Sequence, residues 1–140
     1  MAAVSFTGSP SNVFAYEAFA QEGGYVNGVM AAALSESNTV GVVGPIEVGD
    51  AKLYVDGFEA GVLSQNPNAN VAINYIDSFS DVALASEAAQ SLIGAGADVL
   101  SGTTQMTVGA VNVAKTEKVL WFGTQSNQTE LAPEIVVASQ

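Results

Sequence analysis

The 140-residue chain has no cysteine, no histidine and no arginine, and Lys52, Lys115 and Lys118 are its only cations. Each absence removes a class of chemistry. Without Cys or His there is no disulfide, no thiolate or imidazole metal ligand, no cysteine nucleophile and no Ser-His-Asp triad. Acid–base catalysis would rest on carboxylates and three lysines alone, so an enzyme is not expected. Fourteen acids against three bases give a net charge of −11. Nucleic-acid binding needs a basic footprint to neutralise phosphates, and this composition argues against it. An anionic membrane surface would repel the chain for the same reason, and the excess acid reads as colloidal solubility. The carboxylates follow neither EF-hand nor magnesium-type spacing, so neither metal nor cofactor is expected. No uncharged apolar run reaches the length of a membrane span, so direct membrane insertion is not expected. Met1-Ala2-Ala3-Val4-Ser5-Phe6 lacks a cationic start and a long apolar core, so it does not read as a secretory signal.

What is present points to a packed domain. Hydrophobic residues make up 49% of the chain, too many for disorder, and the length suffices for one core. Glu17 to Leu34 reads as a helix with Phe19, Tyr25-Val26, Val29-Met30 and Ala33-Leu34 at near-helical spacing, weakened by Gly23-Gly24. Val40 to Val43 is typical of a strand buried on both faces. Gly49-Asp50 supplies a loop and N-cap for a helix that turns Ala51, Tyr54-Val55, Phe58 and Val62 inward. After the Asn66-Pro67-Asn68 turn, Val71 to Ile76 is a second strand. Ser78 and Asp81 form a capping-box-like pair before a helix with Leu84, Ala85, Ala88, Leu92 and Ile93 on one face, stopping at Gly94 or Gly96. Asp98 to Leu100 is a third strand, Thr104 to Ala114 a helix, Val119 to Phe122 a fourth strand, and Ile135 to Ala138 a last one. Strands alternating with helices predict an α/β fold: a doubly wound, mostly parallel sheet with helices on both faces, forming a single lobe over residues 1–140.

Gly94-Ala95-Gly96 lies at a helix end before a strand, the reverse of a dinucleotide fingerprint, and reads as a C-cap. Gly102-Thr103-Thr104-Gln105 does follow a strand and open a helix. Its backbone N–H groups and hydroxyls suit the polar edge of a ligand, although Thr103 or Thr104 could equally serve as an N-cap. In Asn74-Tyr75-Ile76-Asp77-Ser78-Phe79-Ser80-Asp81 a strand runs into a polar loop that carries one aromatic. Ligands of open parallel sheets bind just beyond the carboxyl ends of strands. Phe79 there is either core or an exposed ring placed to stack on a flat ligand, and its polar neighbours favour exposure. Trp121-Phe122 reads as core, with Gln125 beyond the strand end as a polar reader. Glu22 reads as a solvated helix-start acid or a cleft residue. Asn127-Gln128-Thr129 matches a glycosylation sequon and is taken as chance.

These segments, with Glu22-Gly23-Gly24-Tyr25, Val40-Gly41-Val42-Val43-Gly44, Phe58-Glu59-Ala60-Gly61, Gly96-Ala97-Asp98-Val99 and Trp121-Phe122-Gly123-Thr124-Gln125, stand in a fixed order. Together they resemble the basic membrane protein family of transporter substrate-binding proteins, which includes the PnrA-like purine-nucleoside receptors. The resemblance runs from about Glu22 to the C-terminus. It implies a type I periplasmic binding protein, in which two α/β lobes close on a ligand, with this chain resembling the second lobe without the first lobe or signal segment. It implies a solute-binding component of an ABC importer, at the periplasm or outer face of the plasma membrane, partnered through the full-length receptor by an ABC permease and ATPase. Phe79 would stack on a ligand base, while Gly102, Thr103 and Thr104 would give main-chain and hydroxyl contacts. Where nucleoside-binding members carry Gly-x-Asp-Ser-Asp-Gln, this chain has Gly123-Thr124-Gln125-Ser126-Asn127-Gln128. Gln125 thus replaces the Asp that grips the ribose hydroxyls, which widens the expected ligand to a nucleoside, nucleobase or other small polar solute. A receiver-like signalling domain, with Asp77 as its strand-end acid, has similar topology but would need an acidic pair where Glu47 stands alone and a Lys where Lys118 precedes its strand. A structural α/β domain without ligand is the remaining alternative.

Overall fold

Alternation along the strands decides which helices cover which face of the sheet. In the computed structural model, which describes residues 19–139, the chain runs α1 (Ala20–Leu34), β1 (Thr39–Gly44), α2 (Gly49–Gln65), β2 (Asn70–Tyr75), α3 (Val82–Gly94), β3 (Val99–Gly102), α4 (Thr107–Glu117), β4 (Leu120–Gly123) and β5 (Val136–Ser139). Val40, Val42, Val99 and Phe122 pack with Ala31 of α1 and Tyr54, Val55, Phe58 and Val62 of α2. Val43, Leu100 and Trp121 point the other way, against Ala85, Ala88 and Leu92 of α3 and Ala110 and Val111 of α4. Successive residues therefore serve opposite cores, as a strand of period two requires. Near-continuous apolar runs such as Val-Leu in β3 result because both faces are covered. Glu17 and the Met1–Phe6 stretch lie outside the described residues.

The five strands are all parallel in the order β2-β1-β3-β4-β5. Val40 pairs with Val71 on one side and Val99 on the other, Val99 pairs with Leu120, and Trp121 pairs with Val136 before a register shift. From β1 the chain first steps outward to β2, then crosses back to β3, so the winding reverses between β1 and β3. In doubly wound sheets that reversal opens a crevice at the strands' carboxyl ends.

The helix pair α1–α2 packs backbone against backbone. A Cβ at Gly24 would collide with the Tyr54 carbonyl, and one at Gly28 with the Phe58 carbonyl. From the other side, Gly57 and Gly61 meet the carbonyls of Gln21 and Tyr25. Gly24 lies on Tyr54 and Gly28 on Phe58, so the two helices run in the same direction and both start at the carboxyl edge. This close approach corrects the expected inward face of α1. Tyr25, Val26 and Leu34 are exposed, whereas Gly24, Asn27, Gly28 and Ala31 are buried. The contact is made by small residues, and apolar spacing alone does not register them.

Helix starts also differ from expectation. Asp50 sits inside the first turn of α2, and Val48 is the N-cap, with no side-chain cap bond. The Ser78–Asp81 capping box does not form. Asp81 is itself the N-cap of α3, accepting from the Leu84 amide at 3.0 Å, while Ser78 Oγ accepts from the amides of Ser80 and Asp81. Leu84 is exposed rather than inward. Helix α4 starts at Thr107, three residues later than expected, so Thr103 and Thr104 lie in the preceding turn and neither caps it. Gly96, with φ of 102°, closes α3 as the glycine-rich stop predicted. At the amino edge of the sheet, Asp98 clamps the α1–β1 turn by accepting from Ser35 Oγ at 2.6 Å and from the amides of Glu36 and Ser37 at 2.7 Å. Partial burial alone would raise its pKa. The hydrogen bonds from Ser35, Ser37 and Glu36 outweigh that effect and hold the carboxyl below its ordinary value.

Candidate functional site

At the carboxyl edge the starts of α1 and α2 and the loops after β2, β3 and β4 surround a cavity of about 930 Å³. That is within the size range of small-molecule sites. Phe79, Thr103, Thr104 and Gln125 all line it, though they come from three different strand ends. The cavity therefore brings these four residues together. Phe79 is 43% exposed, so the core alternative for this ring fails. Trp121 and Phe122 are fully buried, as expected. Gly102 is buried and is not part of the cavity lining. A Cβ there would meet the Val43 carbonyl at 2.9 Å and the Trp121 ring at 3.1 Å, so the glycine is required by packing beneath the site.

The polar atoms have distinct commitments. Thr104 Oγ1 donates to the Phe79 carbonyl at 3.2 Å, which leaves only its lone pairs free toward the cavity. Thr103 is 5% exposed and faces the cavity from the base of the β3 loop. Gln125 is exposed and holds a left-handed backbone, φ 68°. Thr104 at φ 77° and Asp77 at φ 54° do the same in the other two loops. Non-glycine residues seldom adopt this conformation, and such strain concentrates at functional sites.

Sequence reasoning passed over several lining residues. Tyr54 was expected only as core. It is 4% exposed and forms part of the cavity floor, its ring 6.3 Å from that of Phe58. Its hydroxyl is held from inside: Asn27 Nδ2 donates to it at 3.0 Å, Ser101 Oγ lies 2.7 Å away, and Ser101 in turn donates to the Phe122 carbonyl at 2.9 Å. Burial pushes the Tyr54 phenol above its ordinary pKa against the opposing hydrogen bonds from Asn27 and Ser101. Glu22, for which a cleft position was one of the readings, reaches the lining from α1, and Asp50, expected only as an N-cap, from α2, while no lysine does. Phe19, Val26 and Val48 are 60%, 54% and 53% exposed around the same cavity. Large apolar side chains left bare around one concavity mark an interaction face. Helical spacing had turned Val26 inward, and Val48, the N-cap of α2, carries no periodic signal of its own.

Among the described residues, no three acidic side chains come together as potential metal ligands. Among them also, no helix is long and apolar enough to cross a membrane. The family profile described as "ABC transporter substrate-binding protein PnrA-like" matches residues 3–140. The chain belongs to this family. A purine-binding protein of Brucella abortus (strain 2308) is 32% identical over 123 residues, covering 88% of this chain and 35% of the relative. An ABC transporter solute-binding protein from Conexibacter woesei DSM 14684 superposes with TM-score 0.69 and 29% identity, over 74% of this chain and 34% of that one. A solute-binding protein of an ABC transporter system from Aeropyrum pernix K1 shares the fold at TM-score 0.80 and 21% identity, over 86% of this chain and 38% of that one. The chain spans about two fifths or less of the length of the curated relatives it first matches. Its five-stranded, all-parallel sheet with helices on both faces is the fold that the family resemblance implied.

Proposed function

We propose that this chain is one lobe of a two-lobed ABC-importer receptor and forms one wall of its ligand cleft. The observation that carries the reading is the convergence of Phe79, Thr103, Thr104 and Gln125 on one cavity at the carboxyl edge of a parallel sheet. Phe79 stacks on a flat ring, Thr103 and the turn amides beyond Gly102 meet its polar edge, and Gln125 reads the group that projects from it. The ligand is a nucleobase, a nucleoside or a related small polar heterocycle. The purine-binding name of the Brucella abortus relative supports that class. Glu22 and Asp50 on the rim, with no lysine beside them, disfavour a phosphorylated ligand. Gln125 shifts preference from nucleosides toward free bases, because an amide offers one acceptor and one donor where a carboxylate accepts two hydroxyls. The lobe acts outside the cytoplasmic membrane, delivers ligand to a permease and ATPase, and catalyses no reaction. A receiver-like role would need a cluster of acids around Asp77, and the described residues contain none.

Calorimetry with adenosine, guanosine, inosine and the free bases tests this reading. The isolated chain is expected to give little or no binding heat, since one wall leaves a ligand half in water. Adding a matching first lobe is expected to restore binding, bases ahead of nucleosides. Tight, ribose-dependent binding by the isolated chain would refute the one-wall argument.

A further inference from the structure

We propose that Gln128 and Thr107, neither of which lines the cavity, are positioning residues that fasten the loops after β2, β3 and β4 into one wall. Gln128 is 7% exposed and Thr107 2% exposed. The chain of contacts begins in the core, where Trp121 Nε1 donates to Gln128 Oε1 at 2.7 Å. Gln128 Nε2 then donates to the Thr124 carbonyl at 3.2 Å and to Thr107 Oγ1 at 3.4 Å. Thr107 Oγ1 donates to the Thr104 carbonyl at 2.8 Å, and Thr104 Oγ1 donates to the Phe79 carbonyl at 3.2 Å. Three side chains, those of Gln128, Thr107 and Thr104, thus connect a buried indole to three separate loops.

The carbonyls chosen are informative. The Thr124 carbonyl belongs to the peptide plane that enters Gln125, and the Thr104 carbonyl to the plane that leaves Thr104. These are the two left-handed non-glycine residues of the cavity wall, φ 68° and 77°. A side chain with a Cβ persists in that region only where its surroundings over-determine it. Gln128 and Thr107 supply that constraint from behind the wall, and Gly123 leaves room for it, since a Cβ there would collide with Gln128 Oε1. The proposal rests on the transport reading only in giving the wall a ligand; the coupling of the loops is a property of the chain itself.

Amide hydrogen exchange, resolved by residue, tests the coupling without any ligand, so failure of the transport reading leaves the test intact. Thr107→Val keeps the side-chain shape and removes the hydroxyl, while Thr107→Ser keeps the hydroxyl. In T107V the amides of Ser80, Asp81 and Ser126 are expected to exchange faster, on the order of tenfold, while Val42 and Leu100 stay protected. T107S is expected to restore the parental rates. Q128M should speed Ser126 and Ser80 together and move the single indole N–H resonance of Trp121. Thr104→Val, at a partly exposed site, breaks only the last link and should speed Ser80 and Asp81 but not Ser126. That variant keeps the proposal testable if T107V does not fold. Changes confined to the first turn of α4 in T107V, or unaltered Ser80 exchange in T104V, would overturn the proposal.

Discussion

Replacing Gly28 with Ala is a sharp test of how α1 and α2 are joined. The new Cβ would run into the Phe58 carbonyl and lie 2.9 Å from the Val62 amide nitrogen, both backbone atoms that cannot rotate aside. Ordinary carbon contacts are about 3.5–4 Å, so the helices must part by roughly an ångström along the whole interface. Overpacking of this kind costs about 1–3 kcal/mol. Against that, Ala in a helix interior gains about 1 kcal/mol over Gly. Because the obstruction is backbone, the upper half of the first range applies, and the net expectation is a loss of about 1–2 kcal/mol. For a domain of this size that lowers Tm by roughly 4–8 °C. Gly94→Ala is the matched control, since Gly94 ends α3 with nothing near its missing Cβ. There the smaller unfolded-state entropy should stabilise the chain by about 0.5 kcal/mol. Thermal and urea unfolding of the two variants against the parent decides the matter. If G28A proves as stable as the parent, or gains as G94A does, the helices are not in backbone contact and the account of α1 burial is wrong.

Tyr54→Phe removes a hydroxyl that Asn27 and Ser101 both reach, and should cost about 1–3 kcal/mol in urea unfolding with an unchanged m-value. Asp98→Asn should destabilise by about 1 kcal/mol at neutral pH, because a partly solvated carboxylate loses charge-assisted bonds to Ser35, Glu36 and Ser37. The folded pKa of Asp98 lies below its unfolded value, so this contribution is full above about pH 5 and is lost as pH falls through the folded pKa. The D98N and parental stability curves should therefore converge in acid, and a gap that persists there would contradict the assignment. In the reconstituted two-lobe receptor, Phe79→Ala should weaken base binding by about 1–3 kcal/mol, the range of base–aromatic stacking. Gln125→Asp should raise nucleoside affinity about tenfold relative to the free base, both read by calorimetry.

The sheet was readable because each strand carries its own signature. Val40–Val43 and the apolar run before Gly123 are too short for helices and too apolar for one-sided burial, so parallel strands under two helical layers were the consistent solution. Phe79 was readable for a related reason: a large ring between Ser78, Ser80 and Asp81 has no apolar neighbours in sequence to join it to a core. The α1–α2 interface was not readable, because its contact atoms are backbone carbonyls reached over Gly24, Gly28, Gly57 and Gly61, and glycine adds nothing to an apolar pattern. Tyr54 was half legible. Its helical position placed it inward correctly, yet its role as cavity floor depends on where Asn27 and Ser101 hold the hydroxyl, from helices and strands far apart in sequence. The same limit applies to Gln128. Read as one residue of a polar loop it looks like surface, and only the arrival of Trp121 Nε1 and the Thr124 carbonyl explains why it is buried. Local sequence therefore singled out four residues that line the cavity, Phe79, Thr103, Thr104 and Gln125, while its floor and the groups behind its wall emerged only from contacts between distant segments. For a cleft built on strand-end loops that division is expected: loops carry the ligand-facing side chains, and the rigid sheet beneath supplies the partners that fix them.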